Sequence, residues 1–274
     1  MLCGEPVGVG RSPGRPPPAS SIALTWQWGL ALTPGIATNR HRHHAIEIVI
    51  DASGATEAVV DDRHLIGSGL VIGPRVPHSL PPTSTTRVSL LTGPLTPIGR
   101  CLSSFLDTRP ARVLSRAWVD GLLARLPCPS LDATHRLLAR SVESFGRPSP
   151  LGGSDPRVLN ALRILRRQLD QPSAVATLAR SVHLSERRLC ELFHRDVGMP
   201  VRSYRRWLRI RAGARLALRG STLTTAAHAV GFTDLAAFSN AFKETLGFPP
   251  STLHRWAPDF RERDRERDRS IVRR

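Results

Sequence analysis

The chain has little with which to build a redox or thiolate centre. Its four cysteines (Cys3, Cys101, Cys128 and Cys190) are scattered, with no Cys-x-x-Cys pair. Neither a disulfide framework nor a cysteine-based zinc site is therefore expected. No apolar run approaches the roughly 20 residues that a membrane span needs. The amino terminus carries arginines without an apolar core segment, so it does not read as a signal peptide. A cytoplasmic protein with no membrane partner is expected. Lysine is almost missing: of 39 basic residues only Lys243 is not arginine, a bias with no functional account. Acid is also scarce, 22 residues against those 39, for a net charge of +17. From Asp155 to the end, 24 basic residues face 12 acidic ones, so most of the excess lies in the carboxy-terminal part. Such a surface neutralises phosphates and releases counterions, which points to nucleic acid, although a solvated basic surface would look the same. At 274 residues, two domains are the natural expectation.

What is present from Leu178 onward is a pair of helix-turn-helix patterns. In the first, LARSVHLSERRLCELFHRDVG, Val175, Leu178, Ala179 and Val182 give a short helix its apolar face. His183 and Leu184 form the turn and Ser185 caps the second helix. Leu189, Leu192 and Phe193 form that helix's buried stripe, which leaves Arg187, Arg188, Cys190, Glu191, His194 and Arg195 outward. In the second pattern, Leu223 to Arg255, Ala226, Ala227 and Val230 line one helix and Phe238, Ala241 and Phe242 the next. Thr233 or Asp234 caps that second helix. Its outward positions include Leu235, Ala236, Ala237, Ser239, Asn240 and Lys243. Between the two, Pro200 and Gly220 bracket a helix with Tyr204, Leu208, Ala212 and Leu216 on one line. About 19 residues at 1.5 Å make roughly 28 Å. One turn of B-DNA is roughly 34 Å, so the linker helix can place both units on one face of a duplex.

The stretch GF-TD-LAAFSNAFKETLGFPPSTLHR resembles the signature of the AraC/XylS family of bacterial transcription regulators. The matching residues are Gly231, Phe232, Phe238, Ser239, Phe242, Lys243, Gly247, Pro250 and Arg255. The resemblance implies sequence-specific binding to double-stranded DNA, contact with RNA polymerase and no enzymatic activity. DNA contacts fall on Arg187, Arg188, Cys190, Glu191, His194 and Arg195 in the first unit. In the second they fall on Ala236, Ser239, Asn240 and Lys243.

From Ser21 to about Leu95 the pattern changes to short aliphatic runs broken by glycines, which suggests a sandwich or barrel. GIATNRHRHHAIEIVIDASG resembles the first motif of the cupin superfamily, through Gly35, His41, His43, Glu47 and Gly54. In VIGPRVPHSL the second motif is incomplete, with Pro74 and His78 present but one glycine absent. On a strand, His41, His43 and Glu47 share one face. Three imidazoles and a carboxylate suit a divalent ion such as zinc, iron, nickel or manganese. The resemblance to sensor domains of AraC-type regulators implies instead that His41, His43, Glu47 and His78 line a pocket for a small organic effector, with no cofactor. A metal-dependent cupin enzyme fused to a DNA-binding module is the alternative.

The fold class expected is α+β. A disordered tail (1–20) precedes a cupin-like β-barrel (21–96), and a helical dimerisation segment (97–145) carries the stripe Leu114, Trp118, Leu122 and Leu126. A flexible linker (146–154) leads to the DNA-binding domain (155–257) and a charged tail (258–274). Dimerisation through the helical segment is implied by the family resemblance, while a stripe that packs only on its own barrel is the other reading.

Overall fold

A computed structural model describes residues 21–126, 131–146, 154–169 and 174–256. The expected amino-terminal tail, most of the linker and the charged tail lie outside these described residues. The first part of the chain is a β-sheet domain with helices on one side, and the second is all helical.

The sheet domain starts with β1 (Ser21–Leu24), β2 (Trp28–Pro34), β3 (Ile46–Asp51), β4 (Thr56–Val60) and β5 (Arg63–Gly67). β6 (Leu70–Ile72), β7 (His78–Ser79) and β8 (Thr86–Thr92) follow, and β9 (Ala111–Val113) comes later in the chain. They form a six-stranded sheet in the order β1-β2-β8-β3-β6-β9 and a three-stranded sheet in the order β5-β4-β7. The barrel expected from the sequence is therefore not closed among the described residues. β7 has only two residues, and Pro74, Pro77, Pro81 and Pro82 around it offer no backbone N–H for a longer ladder. β5 is not evident in the sequence, because its two aliphatic residues, Leu65 and Ile66, are adjacent rather than alternating, and Ile66 is exposed. The turn before it is Asp61-Asp62, both at positive φ, as a two-residue hairpin requires.

All six residues of β3 are buried, so it is a central strand covered on both faces. Ile46, Ile48 and Ile50 join a core with α1 (Pro97–Leu106), α2 (Arg116–Leu123) and α3 (Leu131–Val142). Val49 packs on the opposite side with Ala58, Val60 and Leu80. The apolar stripe of this helical segment turns inward. Leu114 and Leu122 are buried in that core, and Ser115, as N-cap of α2, leaves Leu114 just before the helix. The Trp118 indole stacks on Phe145 and donates to Ser141 O at 3.0 Å. Contact with a second copy would have to use the other faces of these helices.

The helical domain contains α4 (Pro156–Arg167), α5 (Val175–Ser181), α6 (Glu186–Val197) and α7 (Val201–Leu218). It ends with α8 (Leu223–Ala229), α9 (Leu235–Leu246) and α10 (Thr252–Trp256). Asp155 caps α4 by accepting from Arg157 N–H. At 18 residues α7 is about 27 Å long, and it is buried nearly all round rather than along one line. Its surroundings explain this. Tyr204, Trp207 and Leu208 pack with α4–α6, whereas Ile210, Ala214, Ala217 and Leu218 pack with α8–α10. The sheet domain adds Ala45 to the first of these cores and Ile22 to the second. No helix among the described residues is long and apolar enough to cross a membrane.

Candidate nucleic-acid interface and the cavity behind it

Two helices present the expected outward residues. On α6 the Ser185 hydroxyl accepts from Arg188 N–H at the start, and Gly198 ends the helix at φ +78°. Leu189, Leu192, Phe193 and Val197 are buried. Arg187, Arg188, Cys190, Glu191, His194 and Arg195 are all exposed. Arg187 Nε donates to Glu191 Oε1 at 2.9 Å and Arg188 Nη1 to Glu191 Oε2 at 3.3 Å. These ion pairs are solvent-exposed and contribute little to stability. They do hold both guanidinium groups and a carboxylate, the groups suited to guanine and cytosine edges, on one patch of the helix.

α9 repeats this plan with other side chains. Asp234 accepts from Ala237 N–H and Gly247 ends the helix at φ +79°, with Phe238, Ala241 and Phe242 buried. Ala236, Asn240 and Lys243 are exposed, and Ser239 is half-buried. Thymine methyl contact and the amide of Asn240 are what this surface offers to bases. Not every arginine of α7 is available to phosphate. Arg209 Nε donates to Leu169 O at 2.8 Å and Nη1 to Gly231 O at 3.0 Å, tying the segment after α4 to the turn of the second helix-turn-helix unit. Arg206 pairs with Glu244 of α9.

The sheet domain docks on the far ends of both helices. Arg75 Nη1 donates to Gly198 O, the C-cap of α6. Asn39 N–H donates to Gly247 O, the C-cap of α9, at 2.8 Å. Both glycines are in the left-handed conformation that leaves a helix-terminal carbonyl free to accept.

Between the domains lies a cavity of about 150 Å³. Ile22, Leu24, Leu30, Ile36 and Leu80 wall it from the sheet domain, and Trp207, Leu218, Phe248, Leu253 and Trp256 from the helical one. Its two arginines differ. Arg87 is neutralised, with Nε and Nη2 donating to the two Asp51 carboxylate oxygens at 2.7 and 2.9 Å. Arg211 is buried without a carboxylate partner among the described residues. Nη2 donates to Thr25 O and to Trp28 O, the group lies over the Trp207 ring, and Nε has no hydrogen-bond partner. Burial, reinforced by Arg166 and Arg215, pulls its pKa down to about 10, so it stays cationic at neutral pH.

His41, His43 and Glu47 also line this cavity, and His78 adjoins them. The four side chains are buried, and one donor atom from each lies within 4.8 Å of the others. The expected strand does not bring them together. Residues 41–45 lie outside any strand, and an isolated His41–His78 bridge joins the two segments. Nδ1 of His41, His43 and His78 each faces a backbone carbonyl, of Asn39, Ala45 and Val76, at 2.8, 3.0 and 2.9 Å. Nε2 of His43 and of His78 approach Glu47 Oε2 at 3.3 and 3.2 Å. Burial and the neighbouring His78 and His43 push His41 down to about 3. Burial alone would raise Glu47, but hydrogen bonds from His43 and His78 hold its carboxyl well below the usual range. Burial opposes protonation of His78 too, yet Glu47 prevails and raises it.

Arg211, Arg75 and Trp207 are functional candidates that the sequence patterns above do not mark out. A signal for Arg211 is nonetheless present. It lies four residues after Trp207 and seven after Tyr204, a charge set inside an apolar helical stripe.

Residues 178–255 match the family model described as a helix-turn-helix domain. The chain is 40% identical over 101 residues to a putative AraC-like transcription regulator of Streptomyces lividans, a match covering 36% of this chain and 33% of that protein. A second putative AraC-like regulator, from Streptomyces antibioticus, is 39% identical over 101 residues, with the same coverage. The chain thus spans about a third of the length of the curated relatives it matches. In overall fold it is similar to ToxT from Vibrio cholerae O395, with a TM-score of 0.54 at 12% identity over 84% of this chain and 96% of that one. It is likewise similar to ToxT of strain SCE256 bound to an unsaturated fatty acid, with a TM-score of 0.55 at 12% identity over 85% and 96%.

Proposed function

We propose that this chain, whose residues 178–255 are an AraC-type helix-turn-helix domain, is a transcription regulator that takes a small, largely apolar anion as effector in the cavity between its domains. The observation that carries the reading is Arg211. A buried guanidinium with no carboxylate, one unsatisfied N–H and an apolar cavity beside it is an incomplete arrangement, because burying a charge without a counterion is costly. A carboxylate on an apolar body completes it. The fatty acid bound to the structurally similar ToxT supports the same class of ligand. The volume matters here: a cavity of about 150 Å³ takes an apolar body about as large as a benzene ring, so a longer chain must displace wall side chains. Walls from both domains mean that the ligand touches the helix between the two recognition helices, which gives it a route to DNA affinity. Contact with RNA polymerase and dimerisation belong to this reading as well, and they rest on the family resemblance.

The test is thermal unfolding of the full chain with benzoate, hexanoate and benzyl alcohol. The two acids are expected to raise the unfolding midpoint, the alcohol is not, and Arg211→Met, close in volume, is expected to abolish the difference. Equal shifts with acid and alcohol, or none with any of them, would contradict an anionic effector.

A further inference from the structure

The two sheets end in four strand edges, and three of them are blunted. β1 is covered where Ile22 packs on the helical domain. β7 has two residues among prolines, and β9 has three and follows Pro110. Shortness, proline and cover are common ways of keeping a strand edge from pairing. β5 has none of them. With five residues it is longer than the other three, and no strand lies beside its outer edge among the described residues.

The hairpin decides which backbone groups that edge presents. A two-residue turn closes on a hydrogen-bonded pair, here Val60 and Arg63, and such pairs alternate with unbonded ones along the ladder. Arg63, Leu65 and Gly67 therefore turn their N–H and C=O groups to β4. His64 and Ile66 turn theirs outward, where no backbone partner meets them among the described residues. This outward pair is complementary to itself. Around a two-fold axis at Leu65, His64 stands opposite Ile66 of a second copy, and the two residues exchange both bonds on each side of the axis. Four hydrogen bonds result.

The side chains fit the same axis. Leu65, half-buried against the core of Val49, Ala58 and Val60, meets its own copy in the closer, unbonded kind of pair. On the other face Ile66 is the most exposed large apolar side chain among the described residues, at 58%, and Val59 beside it is 39% exposed. The axis sets the two copies of Ile66 diagonally across the pair, where long side chains reach each other. Charge does not oppose the contact. Although the chain carries +17, Glu57, Asp61 and Asp62 stand here with only Arg40 and Arg63. Arg40 pairs with Asp62, and His64 Nε2 lies 3.5 Å from Glu57 Oε2. A surface so close to neutral suits a like copy better than DNA. Contact through α1–α3 has less to draw on, because their outer faces carry none of the exposed large apolar side chains.

We propose that β5 pairs antiparallel with β5 of a second copy of this chain about a two-fold axis at Leu65. The small sheets then join into one of six strands, in the order β7-β4-β5-β5-β4-β7. A single strand pair buries less than the roughly 1,600 Å² of a standard interface, so the dimer is reversible. On the regulator reading above, it brings two double readers to neighbouring sites on DNA. The pairing itself does not rest on that reading.

Sedimentation equilibrium of the full chain over a range of concentrations, without DNA or effector, tests it. A monomer–dimer equilibrium is expected. Ile66→Pro removes an outward N–H that the monomer does not use, a place where an edge strand tolerates proline. It should weaken association by about tenfold or more, the loss of roughly 1.4 kcal/mol, while circular dichroism and the unfolding midpoint stay near those of the parent. Ile66→Lys should do the same, and Ala117→Arg on the exposed side of α2 should not. Exchange of the His64 and Ile66 amides should slow with rising concentration, more than that of Leu65, which β4 already protects. A chain that stays monomeric overturns the proposal. So does a dimer that both folded Ile66 variants leave intact, or one that Ala117→Arg breaks in their place. None of these results bears on DNA binding by α6 and α9, so the regulator reading fails or stands separately.

Discussion

The two helix-turn-helix units share one internal plan and differ at the surface. Each recognition helix has 12 residues, an oxygen-bearing N-cap (Ser185 or Asp234) and a left-handed glycine at its end. Each buries a triad at the same spacing, Leu189, Leu192 and Phe193 in one and Phe238, Ala241 and Phe242 in the other. Outward, α6 carries Arg187, Arg188, Glu191, His194 and Arg195, and α9 mostly small or apolar side chains, with Leu235 itself 36% exposed. Both inner faces are apolar at the same spacing, whereas the outer faces differ in charge, and that difference concerns what each helix meets. On the reading proposed above, the first helix discriminates bases, and the second sits in a groove and positions the first.

The largest effects should ignore this difference. Phe193→Ala and Phe238→Ala each remove a fully buried ring and should cost about 3–5 kcal/mol, read from urea unfolding of the full chain. A loss at one position several-fold smaller than at the other would break the claim of a common scaffold.

Next in size is base readout, where the two should part. Arg187→Ala should relax preference at one or two base pairs by about 1–3 kcal/mol, and Asn240→Ala should cost clearly less. Competition binding with single-base operator variants measures both. Should Arg187→Ala weaken specific and random DNA alike, the side chain is a phosphate contact.

The turns allow a finer comparison. His183 and Gly231 hold equivalent places, both at positive φ, +56° and +82°. A side chain there costs roughly 1–2 kcal/mol. His183→Gly should therefore stabilise by up to about 1 kcal/mol, and Gly231→Ala destabilise by about the same. A destabilising His183→Gly would assign the imidazole a contact that offsets its strained backbone.

What can be read in the sequence follows from the range of the interactions. Caps, stripes and stop glycines act within a turn or two, so Ser185, Gly198, Phe238 and Gly247 mark both units in the sequence alone. The linker helix is legible in length but not in burial, because its second buried face appears only when α8–α10 pack on it. The sheet domain is harder still. β5 has no alternating pattern, β7 is cut short by prolines, and β9 lies beyond the first helix, paired with β6 from some forty residues earlier. His41, His43, Glu47 and His78 are recognisable as a set, though a bridge from the loop at His41 to His78 of β7 joins them rather than one strand face. Arg211 meets the β1–β2 turn across more than 180 residues, a contact no local pattern contains.

The difference between the two recognition helices is tested most directly by selecting binding sites for the full chain from random DNA. The account predicts a bipartite site, one half sharply defined and bound by α6, the other degenerate and bound by α9, with centres about 10 base pairs apart. Two equally sharp half-sites would contradict it, as would a single contiguous site with no second half.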